Sequence, residues 1–273
     1  MPLTSLSQAS LQDYSECPRR FQLRYLERLI YPAVEAEPAL ENEKHQQEGE
    51  TFHRLVQQHL LGLPAEQVGR QAVSENLQRW WGNYLHQFHF PQTPGALYPE
   101  LSLSAPLASL RLLAKYDLIT TQPDGNVLIY DWKTYRKRPR NEFLAARWQT
   151  RVYRALLVQA GKQLNNGQPF QPEQIEMIYW FADFPDQPAH FPYDRALYQR
   201  DQDMLQTQAD AILHSAALES TSGFPQTSDT EKCAWCLYRS YCARGIQAGG
   251  GGEPAEAEAS LELNFEQIGE IEL

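Results

Sequence analysis

Between Ser109 and Thr134 the chain places two apolar-rich stretches, Ser109–Thr120 and Asn126–Thr134, on either side of the turn Pro123-Asp124-Gly125-Asn126. That is the pattern of two strands closed into a hairpin. Asp117 and Asp131 each lie seven positions from Asp124, so a hairpin centred there sets the two carboxylates opposite each other, about 5 Å apart at Cβ. Facing carboxylates repel unless positive charge lies between them. Lys133, two positions beyond Asp131, shares its strand face, while Trp132 points the other way. A hard divalent cation, which prefers oxygen ligands and fills its shell with water and substrate phosphate, is the natural occupant. The Lys133 ammonium beside it would orient or polarise an attacking water while charge on the phosphate is stabilised. The chemistry implied is phosphodiester hydrolysis. Taken alone, any single D-x-K is better explained by an ordinary ion pair on a surface hairpin.

Two neighbouring features shift that balance. Gln149 and Tyr153 are four apart on the helix expected after the second strand, about Asn141 to Ala160, and so share a helix face; the competing reading is an amphipathic helix with its polar groups in solvent. The net charge of −10 looks wrong for a phosphate-binding protein, since such affinity comes from Lys and Arg. Its distribution matters more. Seven glutamates and no basic residue fall within 247–273, which leaves −3 on the body. Residues 133–154 carry Lys133, Arg136, Lys137, Arg138, Arg140, Arg147, Arg151 and Arg154 against Glu142 alone, and a local basic surface binds phosphate on an acidic protein.

Helices are expected over Leu11–Ile30, with a break or a new first turn at Pro18, over Glu41–Leu61, and over 74–90. A strand over Leu97–Leu103 precedes the hairpin. The apolar strand Ile175–Phe181, a short strand near His190 and a long helix from Asp194 to about Leu218 follow the 141–160 helix. This order predicts an α/β fold with a mixed central sheet flanked by helices. His53 lies on the 41–61 helix, where a lone histidine is usually structural. With 42% hydrophobic residues the chain can bury a sizeable core. The expected organisation is one domain over 1–246 and a flexible acidic tail over 247–273, introduced by Gly249–Gly252. No segment approaches the roughly 20 apolar residues that span a bilayer, and the N-terminus lacks a basic patch followed by an apolar run. A cytoplasmic protein with no membrane partner is expected.

Cys17 stands far from Cys233, Cys236 and Cys242, which form a C-x2-C-x5-C group. In a cytoplasmic chain ligation is a better reading than disulfides. Four thiolates suit Zn²⁺ or a [4Fe–4S] cluster, and spacing does not decide between them.

The chain resembles the RecB-type and CRISPR-associated iron–sulfur exonuclease branch of the PD-(D/E)XK nuclease superfamily. The resemblance rests on Ser7, Leu11, Tyr14, Cys17-Pro18, Phe21 and Tyr25, then Gly49-Glu50-x-x-His53, Lys115-Tyr116-Asp117, Asp131-Trp132-Lys133 and Gln149-x-x-x-Tyr153. These occur in the family's order from about residue 5 to residue 242. It implies a restriction-endonuclease-like core. It implies that His53, Asp117, Asp131 and the main-chain carbonyl of Trp132 bind Mg²⁺ or Mn²⁺, that Lys133 is the catalytic lysine, and that Gln149 and Tyr153 contact DNA or support the site. Glu100 falls where such proteins place another acid. Lys115 departs from the small residue or glycine that relatives often carry there, which bears on substrate fit. The resemblance favours iron over zinc for the four cysteines, with Cys17 and the C-terminal triplet joining the two ends of the domain. The implied activity is a DNA exonuclease or flap-type nuclease acting on single strands or free ends, with a repair or CRISPR protein as partner. The competing functions are a non-catalytic DNA-binding or scaffold module and, more distantly, an iron–sulfur redox protein, for which no glycine-rich cofactor loop is visible.

Overall fold

Two hairpin arms that bend at the same point position everything else. The computed structural model describes residues 3–29, 39–90, 95–218, 223–233 and 236–245, and the side chains of 39–43 are not among them. The arm expected as one strand over 97–103 is two strands, β2 (Ala96–Pro99) and β3 (Ser102–Leu107). Its partner over 109–120 is likewise divided into β4 (Leu110–Lys115) and β5 (Leu118–Thr121). β3 pairs with β4 and β2 with β5, both antiparallel. Across the bend Glu100 N–H donates to Asp117 O at 3.0 Å, and Tyr116 N–H donates to Leu101 O at 2.9 Å. Glu100 has φ 55°, a left-handed conformation uncommon outside glycine and enriched where a site stores strain.

The bend separates two sheets. A three-stranded sheet runs β1-β4-β3, in which β1 (Ser5–Ser7) lies parallel to β4. A five-stranded sheet runs β2-β5-β6-β7-β8, with β6 Val127–Lys133, β7 Ile175–Phe181 and β8 Phe184–Pro192. β6 and β7 are parallel, so a crossover must join them. It consists of α6 (Asn141–Ala146) and α7 (Trp148–Ala160), where sequence periodicity suggests one helix. The break is Arg147, whose backbone is extended at φ −65°, ψ 144°.

The N-terminal helical stretch is also divided. Ser7 caps α1 (Gln8–Glu16) through a reciprocal pair with Ser10, Cys17 is extended, and Pro18 starts the short α2 (Pro18–Phe21). A π-turn over Gln22–Leu26 follows. The remaining helices are α3 (Ala39–Leu60), α4 (Ala65–Gly69), α5 (Glu75–Gln87) and α8 (Arg195–Ala217). The expected end of the first helix at Ile30 and the tail over 247–273 lie outside the described residues.

Both faces of the five-stranded sheet are buried. On one, Phe52, Leu55 and Val56 of α3 and Trp80, Trp81 and Tyr84 of α5 pack against Leu118, Trp132 and Trp180. Leu77, Trp80, Trp81 and Tyr84 recur at helical spacing, and Ser74 Oγ caps that helix by accepting from Leu77 N–H at 3.3 Å. On the other face Val152, Leu156 and Leu157 of α7 and Leu205, Ala209 and Ile212 of α8 cover Val127, Ile129 and Met177, and the same core extends beneath Leu103, Leu112 and Ala114 of the smaller sheet. Each such side chain contributes about 1.5–3 kcal/mol when fully buried. Alternation along β6 therefore sends Trp132 into the aromatic layer and Asp131 towards α7.

α7 and α8 share one buried polar contact. Arg154 Nη2 lies 3.4 Å from Asp201 Oδ2, which also accepts from Tyr193 O–H at 3.0 Å. Removing one member of a buried ion pair strands the other charge. Asp201→Ala is expected to cost about 3–5 kcal/mol in urea unfolding. Most of that loss should return when Arg154→Leu is added; an equal loss in the double variant would show that the pair itself is not the cause.

Candidate active site

The bend and the β6 strand end converge on one cluster of charged side chains. The β5–β6 register pairs Leu118 with Tyr130, so one further step places Asp117 opposite Asp131, as the turn arithmetic predicts. Asp117 Oδ2 accepts from Trp132 N–H at 2.8 Å, and its Oδ1 lies 3.3 Å from His53 Nδ1 on α3. Asp131 Oδ1 accepts from Gln149 Nε2 at 2.7 Å, and its Oδ2 faces Lys133 Nζ at 2.9 Å. Lys133 Nζ also donates to Gln149 Oε1 at 3.0 Å. Gln149 thus bridges the carboxylate and the ammonium and fixes their spacing.

Burial sets the charge states. Asp131 is 2% exposed. Its removal from water, reinforced by the Asp117 charge, pushes its carboxyl up to about 7 although Lys133 pulls the other way. Burial also disfavours the charged form of Asp117, but His53, the Trp132 N–H and Lys133 outweigh it and hold that carboxyl below its usual range. For His53 burial opposes protonation, and Asp117 reverses the balance so that its basicity rises. Burial and the Asp117 charge hold the Glu100 carboxyl above its usual range, against its ion pair with Lys115.

Gln149 and Tyr153 occupy different positions. Gln149 touches the cluster directly. Tyr153 is buried, donates its O–H to Lys115 O at 2.7 Å and so anchors the strand just before the bend. Tyr116 donates back to Tyr153 O at 2.9 Å. Sequence reasoning missed Tyr179. It pairs with Asp131 in the β6–β7 register, its ring lies 5.4 Å from Lys133 Nζ, and its hydroxyl donates to Gln149 Oε1 at 3.3 Å. The available signal is one hydroxyl within the apolar stretch Met177–Phe181 of that strand.

Among the described residues no three His, Cys, Asp or Glu side chains already stand together as a metal-binding group. The donor set nevertheless suits a hard divalent cation. Apart from their ion pairs with Lys133 and Asp117, Asp131 Oδ2 and His53 Nδ1 are buried without a further hydrogen-bond partner among the described residues, and two opposed carboxylates supply oxygen ligands. The expected main-chain ligand, the carbonyl of Trp132, lies on the same strand between Asp131 and Lys133.

The four cysteines carry no disulfide; Cys17 is buried and the others are partly exposed. They are electrostatic neighbours. Burial, then the thiols of Cys17 and Cys242, raise Cys236, while burial, then Cys17 and Cys233, raise Cys242. Arg20 opposes the first shift and Arg19 the second, and Arg244 Nη1 lies 3.2 Å from Cys233 Sγ. Among the described residues no three of the cysteines stand together as a metal-binding group.

The family model described as the PD-(D/E)XK nuclease superfamily matches residues 5–243. No curated protein sequence matches the chain. Among solved structures, a protein of Eubacterium rectale assigned provisionally as an exonuclease matches with a TM-score of 0.51 at 9% identity, covering 94% of each chain. At that identity the likeness is one of fold. The structure of SSO0001 matches with a TM-score of 0.43 at 11% identity, over 90% of this chain and 89% of that one.

A cation bound between the opposed carboxylates stabilises the folded state by mass action, by about 2.7 kcal/mol at a hundred times its dissociation constant. Divalent cation is therefore expected to raise the thermal unfolding midpoint of the wild type. Asp131→Asn should remove that rise, and an undiminished rise would place the cation elsewhere.

Proposed function

The chain belongs to the PD-(D/E)XK nuclease superfamily, and from that premise we propose that it is a Mg²⁺- or Mn²⁺-dependent deoxyribonuclease, an exonuclease acting on single-stranded DNA or DNA with free ends. The observation that carries the reading is the placement of Lys133 Nζ, 2.9 Å from Asp131 and 3.0 Å from Gln149, beside two opposed carboxylates. Asp117, Asp131, His53 and the Trp132 carbonyl would hold the cation. When bound, it would supply Lewis-acid stabilisation of phosphoryl charge and a more acidic water. The chain's own groups do the rest. Lys133, fixed by Asp131, Gln149 and the Tyr179 ring, donates hydrogen bonds towards the attacking water or the phosphate oxygen. Gln149 keeps the ammonium from turning away. His53 steadies Asp117 from the α3 side, and Tyr153 acts from behind the site as a positioning residue.

We also propose that Cys17, Cys233, Cys236 and Cys242 hold a [4Fe–4S] cluster, with Zn²⁺ as the alternative, tying α1–α2 to the C-terminal turns. The influence of Cys17 on both Cys236 and Cys242 supports this reading. The centre's role is structural, because metal bound by four thiolates contributes directly to folding.

Lys133→Ala is expected to lower Mg²⁺-dependent degradation of end-labelled DNA by about 10²-fold or more while the variant still folds, as its circular dichroism spectrum at the assay temperature would show. Full activity in that variant would remove Lys133 from the mechanism, and DNA binding without product in any metal would mark the wild type as a non-catalytic binding module. For the cysteines, anaerobically purified protein should show a broad visible absorption with stoichiometric iron and sulfide, lost in Cys236→Ser. Zinc without iron would decide for the alternative.

A further inference from the structure

The three-stranded sheet has one covered and one open face. Leu103, Ala105, Leu112 and Ala114 point into the core. The register places Lys115 opposite Ser102, Leu113 opposite Ser104 and Arg111 opposite Pro106 on the other face. Ser102, Pro106 and Arg111 are exposed there, and Lys115 retains 32% side-chain exposure. Arg111 Nη2 donates to Ser104 Oγ at 2.5 Å, so the cations are set among small hydroxyls on a rigid strand pair. β1, which borders β4, adds only Ser5 and Ser7 to this face. None of the described residues on it is acidic; Glu100, at the bend, is already paired with Lys115.

This face ends at the bend, where the candidate site begins. Along β4 Arg111, Leu113 and Lys115 alternate with Leu112 and Ala114 of one core, and past the end of the strand Asp117 precedes Leu118 of the other core. Lys115 stands two residues before Asp117, and along β4 Arg111 lies about 13 Å from Lys115 at the ordinary rise of a strand. Tyr153 pins the Lys115 backbone through its carbonyl, and the Glu100 carboxylate holds the ammonium at the rim.

We infer that the open face of the β1-β4-β3 sheet is the track along which a single strand of DNA lies as it approaches Asp117 and Asp131, with Lys115 holding a phosphate next to the reacting one and Arg111 holding one further along. The occupant follows from charge complementarity and from continuity with the site. Cations and hydroxyls spaced along a strand fit a phosphate backbone and carry no base readout. A protein partner would find little apolar surface here beyond Leu113 and Pro106. The inference rests on the nuclease reading, and salt dependence separates the two, because each phosphate neutralised on a single strand adds about 0.7 to the slope of log K against log salt.

The test is fluorescence anisotropy of an end-labelled oligothymidine in EDTA, where no cleavage occurs, over a range of KCl concentrations. Arg111→Ala with Lys115→Ala should lower the slope by roughly 1.4, whereas Arg70→Ala on the distant α4 should leave it unchanged. Lys115→Gln, which keeps the stem and a hydrogen bond to Glu100, should lose roughly 0.7 and serves if the double variant fails to fold. An unchanged slope in these variants with intact wild-type binding overturns the track alone. The same loss in Arg70→Ala also overturns it, since the slope would then report net charge. Absence of oligonucleotide binding by the wild type overturns the track, while the nuclease reading is decided separately by degradation of end-labelled DNA with Mg²⁺.

Discussion

Asp117 and Asp131 face each other at the end of an antiparallel strand pair, and much of the surrounding architecture compensates for that proximity. Two carboxylates largely withdrawn from water are unfavourable unless each finds a partner. The chain supplies different partners to each. Asp117 receives a backbone N–H and the His53 ring, which favour its charged form. Asp131 receives Lys133 and Gln149, yet burial keeps it near neutrality. One carboxylate is therefore favoured as an anion while burial opposes charge on the other, the kind of asymmetry found at functional sites.

The bend at Glu100 and Asp117 makes this arrangement possible. A straight hairpin would carry Asp117 onward in one sheet with neighbours above and below. Here the chain changes sheets at that residue, so Asp117 stands at a corner with Trp132 N–H on one side and α3 on the other. The left-handed Glu100 opposite it marks a local cost that the two flanking cores can sustain. Trp132 also anchors the corner. Its ring contacts Phe88 at 5.2 Å and Trp180 at 6.0 Å, which fixes β6 in register and thereby its neighbours Asp131 and Lys133.

Much of this was legible in the sequence, for a definite reason. Turn chemistry at 123–126 sets the register, and register alone places Asp117 opposite Asp131; the period of two then places Lys133 beside Asp131 and Trp132 behind it. The bend was not legible in the 109–120 arm, because the apolar positions Leu110, Leu112, Ala114, Tyr116 and Leu118 pass the corner without a glycine or proline; on the other arm Pro99, just before Glu100, was the available signal. The break at Arg147 was hidden in the same way, since apolar spacing before and after it fits one helix. β1 is three residues, Ser-Leu-Ser, too short for any periodic signal, and it is held by pairing with β4 rather than by its own propensity. Motif resemblance carried the grouping of His53, Gln149 and Tyr153 with the acids, because tertiary packing brings them together from separate elements.

α7 joins the site to the core in a way that neither motif reveals. Gln149 Oε1 receives Lys133 and the Tyr179 hydroxyl, and that hydroxyl also stands 2.8 Å from Thr150 Oγ1. Thr150 donates to Leu144 O across the helix break, while its own carbonyl accepts from Arg154 Nε at 2.9 Å. Arg154 in turn meets Asp201, which accepts from Tyr193. Buried polar groups linked in this manner polarise one another and hold a single geometry, provided every member is satisfied. The Lys133 ammonium therefore takes its position from a chain of bonds that ends at α8. A loop-borne lysine would lack that support, and its ammonium would sample many positions beside the carboxylates. Fixing the ammonium on a central strand, against a helix docked on both sheets, removes that freedom before any substrate arrives.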